Sequence, residues 1–306
     1  MSRFNSLLAA RQKQGFMVCV GLDSEFVKIP ECVTNGQSRE EAIYTFNKEI
    51  VDAAYDKVLC FKPNIAFYPR QDDRRALWRT IRYIHNNAPG IPVILDAKRA
   101  DIGNTNIGYA KEAFEEFEAD AVTVNPYFGM EAMKPFLDQA DKGIIVLDRT
   151  SNPGAGEFQD ELVLLNDQEE SELVSRLGTK EPLPGWLRLD LKHLLIPSYQ
   201  RVAFRVSRYW NSKNNCALVV GATAPAELAV VRQIVGDMQI LAPGIGKQGG
   251  DLIATLQAGL TADGTGLIIN SSSGIIFASK GEDYAEAALA EVEKLNKAIN
   301  EHRHRR

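Results

Sequence analysis

Short apolar runs recur along the chain, each ending in polar or glycine-rich residues and followed by a helical pattern. They are Phe16–Leu22, Val58–Phe61, Ile91–Leu95, Ala121–Val124, Gly143–Leu147, Cys216–Val220, Gln239–Leu241 and Gly266–Ile269. Near-continuous hydrophobicity rich in Val and Ile is what strands buried on both faces show. Between the runs, Arg39–Tyr55 sets Ala42, Phe46, Ile50 and Ala53 at spacings of three and four, and Arg74–Asn86 does the same with Leu77, Ile81 and Ile84. Gly108–Glu118, Pro225–Val235 and Asp283–Ile299 are further helix candidates. Eight alternations of strand and helix predict parallel strands closing on themselves, an α/β fold of the (β/α)8 TIM-barrel type in one domain over residues 1–306. A doubly wound open sheet is the competitor, but it usually carries fewer strands. No GxGxxG follows the first run.

The connection after the fifth strand is long. From Thr150 to Asn215 it exceeds an ordinary strand-to-helix loop. It holds SNPGAG, the acidic NDQEESEL, prolines around Glu181–Pro184 and a helix-like Tyr199–Trp210. It is expected to be a loop insertion, residues 150–215, on one barrel face, with its acidic run in solvent. The terminal EHRHRR reads as a frayed basic tail.

Composition narrows the function. With 35 basic and 40 acidic residues the net charge is −5, which argues against a nucleic-acid binder. The cysteines, Cys19, Cys32, Cys60 and Cys216, show no metal-ligating spacing, and all but Cys32 lie in apolar runs that suit reduced, buried thiols. No apolar signal segment and no membrane-length run is visible, so a cytoplasmic protein is expected.

Barrel active sites gather at the C-terminal ends of the strands. There the chain offers Asp23, Lys62, Asp96 and Lys98, with Asp101 close behind. Asp96 and Lys98, two apart in LDAKRADIGNT, point to one side of an extended chain. Charged residues after a strand commonly just solvate a loop. Four in one inward cluster are costly unless paired or used. After the seventh and eighth runs lie APGIGKQGGD and NSSSGII, where such barrels frequently bind phosphate. Gly244, Gly246, Gly249 and Gly250 let backbone N–H groups approach an anion, and Gln248 adds a side-chain donor.

These segments resemble the orotidine 5′-phosphate decarboxylase family, in its longer bacterial-type branch. The likeness runs from GLD (Gly21–Asp23) through FKPNIAFY, DAKRADIGNT, VNPYFG, RTSNPGAGEFQ and VVGAT to APGIGKQGGD, and DxKxxDIGNT is its specific part. The resemblance implies conversion of orotidine 5′-phosphate to UMP and CO2, with no cofactor and no metal. It implies that Lys62, Asp96, Lys98 and Asp101 form a charge network, with Lys98 protonating C6 of the pyrimidine and Asp96 beside the substrate carboxylate. Lys62 and Asp23 would hold the ribose, and Ser151 the base, with Thr150 or Asn152 able to share that task. Pro243, Gln248, Ser272 and Ser273 fall in the substrate-binding loops after the last two strands. Asp101 and Thr105 would be donated across a homodimer interface.

One position departs from the family's pattern. Ser273 stands where an arginine normally grips the phosphate, and serine makes no bidentate charged contact. Three readings follow: an engineered substitution, a natural variant compensated by a basic residue such as Lys247 or Lys280, or a relative with a different or poor substrate; the first two preserve the reaction, with phosphate binding impaired. Two alternatives stand beside the decarboxylase reading. A sugar-phosphate decarboxylase or aldolase of the same superfamily would require Mg²⁺, and a catalytically weak barrel would only bind nucleotide. Lys62 in FKPN and the SNPG loop favour the pyrimidine substrate.

Overall fold

The protein is described by a computed structural model over residues 2–177, 188–190, 193–245 and 249–303. Its strands, numbered in chain order, are β1 (Val18–Gly21), β2 (Cys60–Lys62), β3 (Ile94–Arg99), β4 (Ala121–Val124), β5 (Gly143–Arg149), β6 (Leu162–Leu164), β7 (Arg188–Asp190), β8 (His193–Pro197), β9 (Cys216–Val220), β10 (Ile240–Pro243) and β11 (Leu267–Ser271). Eight form one parallel sheet in the order β2-β1-β11-β10-β9-β5-β4-β3. Parallel bridges Phe61–Val93 and Asn64–Asp96 join its two ends. The sheet therefore closes as the apolar pattern predicts, into a TIM barrel.

Period-two alternation divides each strand between two cores. Cys19, Cys60, Ile94, Ala121, Ile145, Ala217, Leu241 and Ile268 fill the barrel interior with Phe4 and Leu8 of the helix Arg3–Lys13. Val18, Val20, Phe61, Leu95, Val122, Ile144 and Val146 face the surrounding helices. Phe4 reaches the barrel floor because residue 143 is glycine: a Cβ there would lie 2.3 Å from the Phe4 ring. One step toward the C-terminal ends, the inward row becomes Lys62, Asp96, Thr123 and Leu147. The strand period thus turns four sequence positions into one layer of a site.

Helix bounds differ in instructive ways. The expected Arg74–Asn86 helix begins at Gln71, where the Asp73 side chain accepts the Arg70 N–H. The expected Gly108–Glu118 helix begins earlier, at Gly103, and widens at its end into a π turn over Glu112–Glu116. The supposed tail is partly helical, because the last helix runs Tyr284–Arg303 and Arg303 caps back onto Asn300 and Gln12.

The insertion is more than a loop. Strands β6, β8 and β7 build a small antiparallel sheet, and Asp167–Leu177 is a helix. Glu169, in the acidic run expected to face solvent, is 2% exposed and is bound by Arg201 at 2.9 Å and Arg205 at 2.5 Å. Buried charge needs such partners. The prolines around Glu181–Pro184 lie outside the described residues. No described helix is long and apolar enough to cross a membrane.

Candidate active site

A cavity of about 580 Å³ opens at the C-terminal end of the barrel. Asp23, Lys62, Asp96, Lys98, Ser151, Asn152, Pro243, Ser272 and Ser273 all line it. Gln248, Gly246 and Lys247 lie outside the described residues. Asp101 and Thr105 are not among the lining residues: the Asp101 carboxylate accepts the Ile102 N–H at 2.6 Å, and Thr105 is exposed. Of the network Lys62, Asp96, Lys98 and Asp101 that the resemblance implies, one chain brings three members together, with Asp23 beside them.

Asp96 is its centre. Lys62 Nζ donates to its Oδ2 at 2.9 Å, and Lys98 Nζ to its Oδ1 at 2.6 Å. Thr123 Oγ1 donates to Oδ1 as well, at 2.8 Å. Burial pushes the Asp96 pKa up, but Lys62 and Lys98 outweigh it and hold the carboxyl well below the usual range. Burial likewise pulls the Lys62 ammonium down, and Asp96 with Asp23 more than restores it, leaving it above its ordinary value. Lys62 is 3% exposed, so the pair is charged deep inside the mouth.

Lys98 does not reach Asp96 by simple strand alternation. The β3–β4 register slips between Leu95 and Arg99, and Lys98 sits at φ 49°, in the left-handed region that costs an L-residue about 1–2 kcal/mol. Strain of that kind persists where the surroundings over-determine it. Here Thr123 Oγ1 accepts the N–H groups of Ala97 at 3.0 Å and Lys98 at 2.9 Å.

Around this centre the cavity is polar. Asp23 lines the cavity, and its buried Oδ1 has no hydrogen-bond partner. On the far wall, Gly244 has φ 105° and Gly250 donates its N–H to the Gly244 carbonyl at 3.0 Å. A Cβ at residue 21 would fall 1.9 Å from Ser272 Oγ, so glycine there lets the loop after β11 close against β1. Residue 221 plays the same part for the other rim, where a Cβ would meet that of Ser151 at 2.7 Å. Asn152 is held by Thr150 Oγ1 at 2.7 Å.

Sequence reasoning missed Thr123, Lys28 and Asn64, all of which line the cavity. Thr123 had a signal: it is the polar residue on the inward row of AVTV. Lys28, ion-paired with Glu25 at 2.5 Å, had none, because it follows β1 by seven residues, at the end of the short 3-10 turn Phe26–Lys28. Lys280, suggested as a compensating cation, is exposed and does not line the cavity. All four cysteines are free, and Cys19, Cys60 and Cys216 are buried as expected. Among the described residues no cluster of potential ligands could hold a metal ion.

The comparisons agree on one family. Residues 17–288 match the description "Orotidine 5'-phosphate decarboxylase / HUMPS family". The chain is 46% identical over 304 residues to the orotidine 5′-phosphate decarboxylase of Cupriavidus necator, covering 99% of this chain and all of the relative. It is 44% identical over 300 residues to that of Cellvibrio japonicus, with 98% of each covered. The solved structure of Leishmania donovani OMP decarboxylase aligns with a TM-score of 0.74 at 33% identity, over 99% of each chain.

Proposed function

The chain belongs to the orotidine 5′-phosphate decarboxylase / HUMPS family, and from that premise we propose that it converts orotidine 5′-phosphate to UMP and CO2 in pyrimidine biosynthesis, as a cytoplasmic enzyme without a cofactor. One observation carries the reading: a buried carboxylate, Asp96, held ionised between the ammonium groups of Lys62 and Lys98 inside the barrel mouth.

In the proposed reaction the pyrimidine C6 carboxylate lies beside Asp96 and Lys98. The C6–carboxylate bond breaks, its electron pair stays on C6, and CO2 leaves. Lys98 stabilises that carbanion electrostatically and then gives it a proton from Nζ, recovering one from solvent. Asp96 faces the leaving carboxylate, a placement that raises the ground state, and its fixed geometry keeps Lys98 aimed. Asp23 and Lys62 take the ribose hydroxyls. Ser151 and Asn152 meet the base.

The phosphate belongs between the loops after β10 and β11, at Pro243, Gln248 and the backbone of Ser272–Ser273. Lys28 supplies a cation at that side of the cavity: β1 neighbours β11, and the Lys28 ammonium lies 6.0 Å from the ring of Phe277, just past the Ser273–Ile276 turn. Among the described cavity lysines, Lys62 and Lys98 are held by the buried Asp96, whereas Lys28 pairs with the partly exposed Glu25, a contact that a phosphate can replace, which makes Lys28 the one best placed to offset Ser273.

Asp101 and Thr105 enter through a second copy. They share the helix start with exposed Ile102 and Ile107, beside exposed Tyr127, Phe128 and Met130. An apolar group of this size beside a site is what a homodimer covers. Mixing Lys98→Ala chains with Asp101→Ala chains tests this: hybrid dimers carry one intact site and regain activity, whereas a monomer regains none. The reaction itself is tested by the loss of orotidine 5′-phosphate absorbance in EDTA, beside Ser273→Arg. Turnover that survives EDTA and rises with arginine supports the reading. Turnover that appears only with Mg²⁺ and a sugar phosphate replaces it with the aldolase or decarboxylase alternative.

A further inference from the structure

We propose that Thr123 is a positioning residue that fixes both the protonation sense of Asp96 and the backbone of Lys98. The argument is one of donors and acceptors. A threonine hydroxyl has one proton and two lone pairs. The Ala97 and Lys98 N–H groups can only donate, and both point at Thr123 Oγ1, at 3.0 and 2.9 Å. The oxygen's acceptor capacity is thereby used. Its single proton is left for Asp96 Oδ1 at 2.8 Å.

That bond can form only if Asp96 Oδ1 accepts. The carboxylate is therefore held ionised and rotationally fixed by Thr123 from β4, Lys62 from β2 and Lys98 from β3, with Asp23 acting on Lys62 from β1. At the same time the two N–H bonds clamp the chain where Lys98 takes φ 49°. Without the clamp the residue is free to relax to ordinary extended backbone, which re-aims its side chain. Thr123 is 1% exposed and has its proton committed to Asp96, so it is no proton donor to a substrate. Its effect passes through Asp96 and Lys98.

The test compares Thr123→Val, which keeps the shape and removes the hydroxyl, with Thr123→Ser, which keeps the hydroxyl. Thr123→Ala takes the place of the valine chain if that chain does not fold. The valine chain should lose on the order of 10²-fold in kcat, the scale of a misaimed catalytic group, with KM within about threefold, and serine should restore most of kcat. Amide hydrogen exchange at Ala97 and Lys98 should rise at least tenfold in the valine chain and stay slow in the serine chain. The kinetic arm rests on the decarboxylase reading, whereas exchange does not. If the unmodified chain leaves orotidine 5′-phosphate untouched, the functional reading fails and exchange alone decides on Thr123. Unchanged kcat, a loss confined to KM, no rescue by serine, or unchanged exchange would each overturn the proposal.

Discussion

Asp96 on β3 and Asp148 on β5 are both almost sealed from solvent, at 8% and 4% exposure, yet their surroundings differ in kind. Asp96 projects into the barrel mouth and receives two ammonium groups and a hydroxyl. Asp148 falls on the outward row with Ile144 and Val146, beneath the insertion, and neither of its oxygens has a hydrogen-bond partner. Burial raises the Asp148 pKa well above the ordinary value, and the nearby Arg149 charge does not reverse it. Desolvation acts alike on both, so partners decide which carboxyl keeps its charge. The mouth of the barrel keeps its carboxyl charged, and the outer layer under the insertion suppresses ionisation.

The sharpest way to break this contrast is at Lys98. Replacing it with methionine removes both the proton and a partner of Asp96, and kcat should fall on the order of 10⁴-fold or more, read by single-turnover UMP formation. Next, Lys62→Met strips Asp96 of its buried counter-charge. It should cost about 3–5 kcal/mol of folding stability, seen as a lower denaturant midpoint, whereas a similar change at a solvated pair costs under about 1 kcal/mol. A stability loss below 1 kcal/mol would mean that the array is not the buried, charged cluster described above.

A smaller effect is expected at the anion end. Lys28→Ala should raise KM for orotidine 5′-phosphate by about tenfold, equal to about 1.4 kcal/mol, with kcat kept within about twofold, and Ser273→Arg should erase the difference. Smallest is Asp148→Asn. A carboxyl whose folded pKa is raised gives stability that is complete below its unfolded pKa of about 4 and is lost as pH rises through the folded value. The asparagine chain should lack that decline and be more stable by about 1 kcal/mol at pH 8. Urea midpoints across pH 4–9 measure it, and parallel curves for the two chains would show that Asp148 is ionised in the fold.

Much of this was legible in the chain itself, for reasons that differ by residue. Bounds for β4 and β9 coincide with their apolar runs, because both strands are buried along their whole length. Lys62, Asp96 and Lys98 were legible because several charges turned inward together are costly unless paired or used. Asp101 was legible as a member of a motif, but a single chain does not carry it to the cavity. Glu169 was misread since its partners, Arg201 and Arg205, sit more than thirty residues downstream. The left-handed Lys98 was illegible too, as lysine carries no preference for that conformation. Only a threonine on the next strand makes it tenable.

The most direct test runs the protein in D2O with EDTA and follows UMP by mass spectrometry, with Lys98→Met alongside. The account predicts one deuterium at C6 for each CO2 released by the unmodified chain, and no detectable UMP from the methionine chain on the same timescale. UMP formed equally by both chains, or none from either, would contradict it.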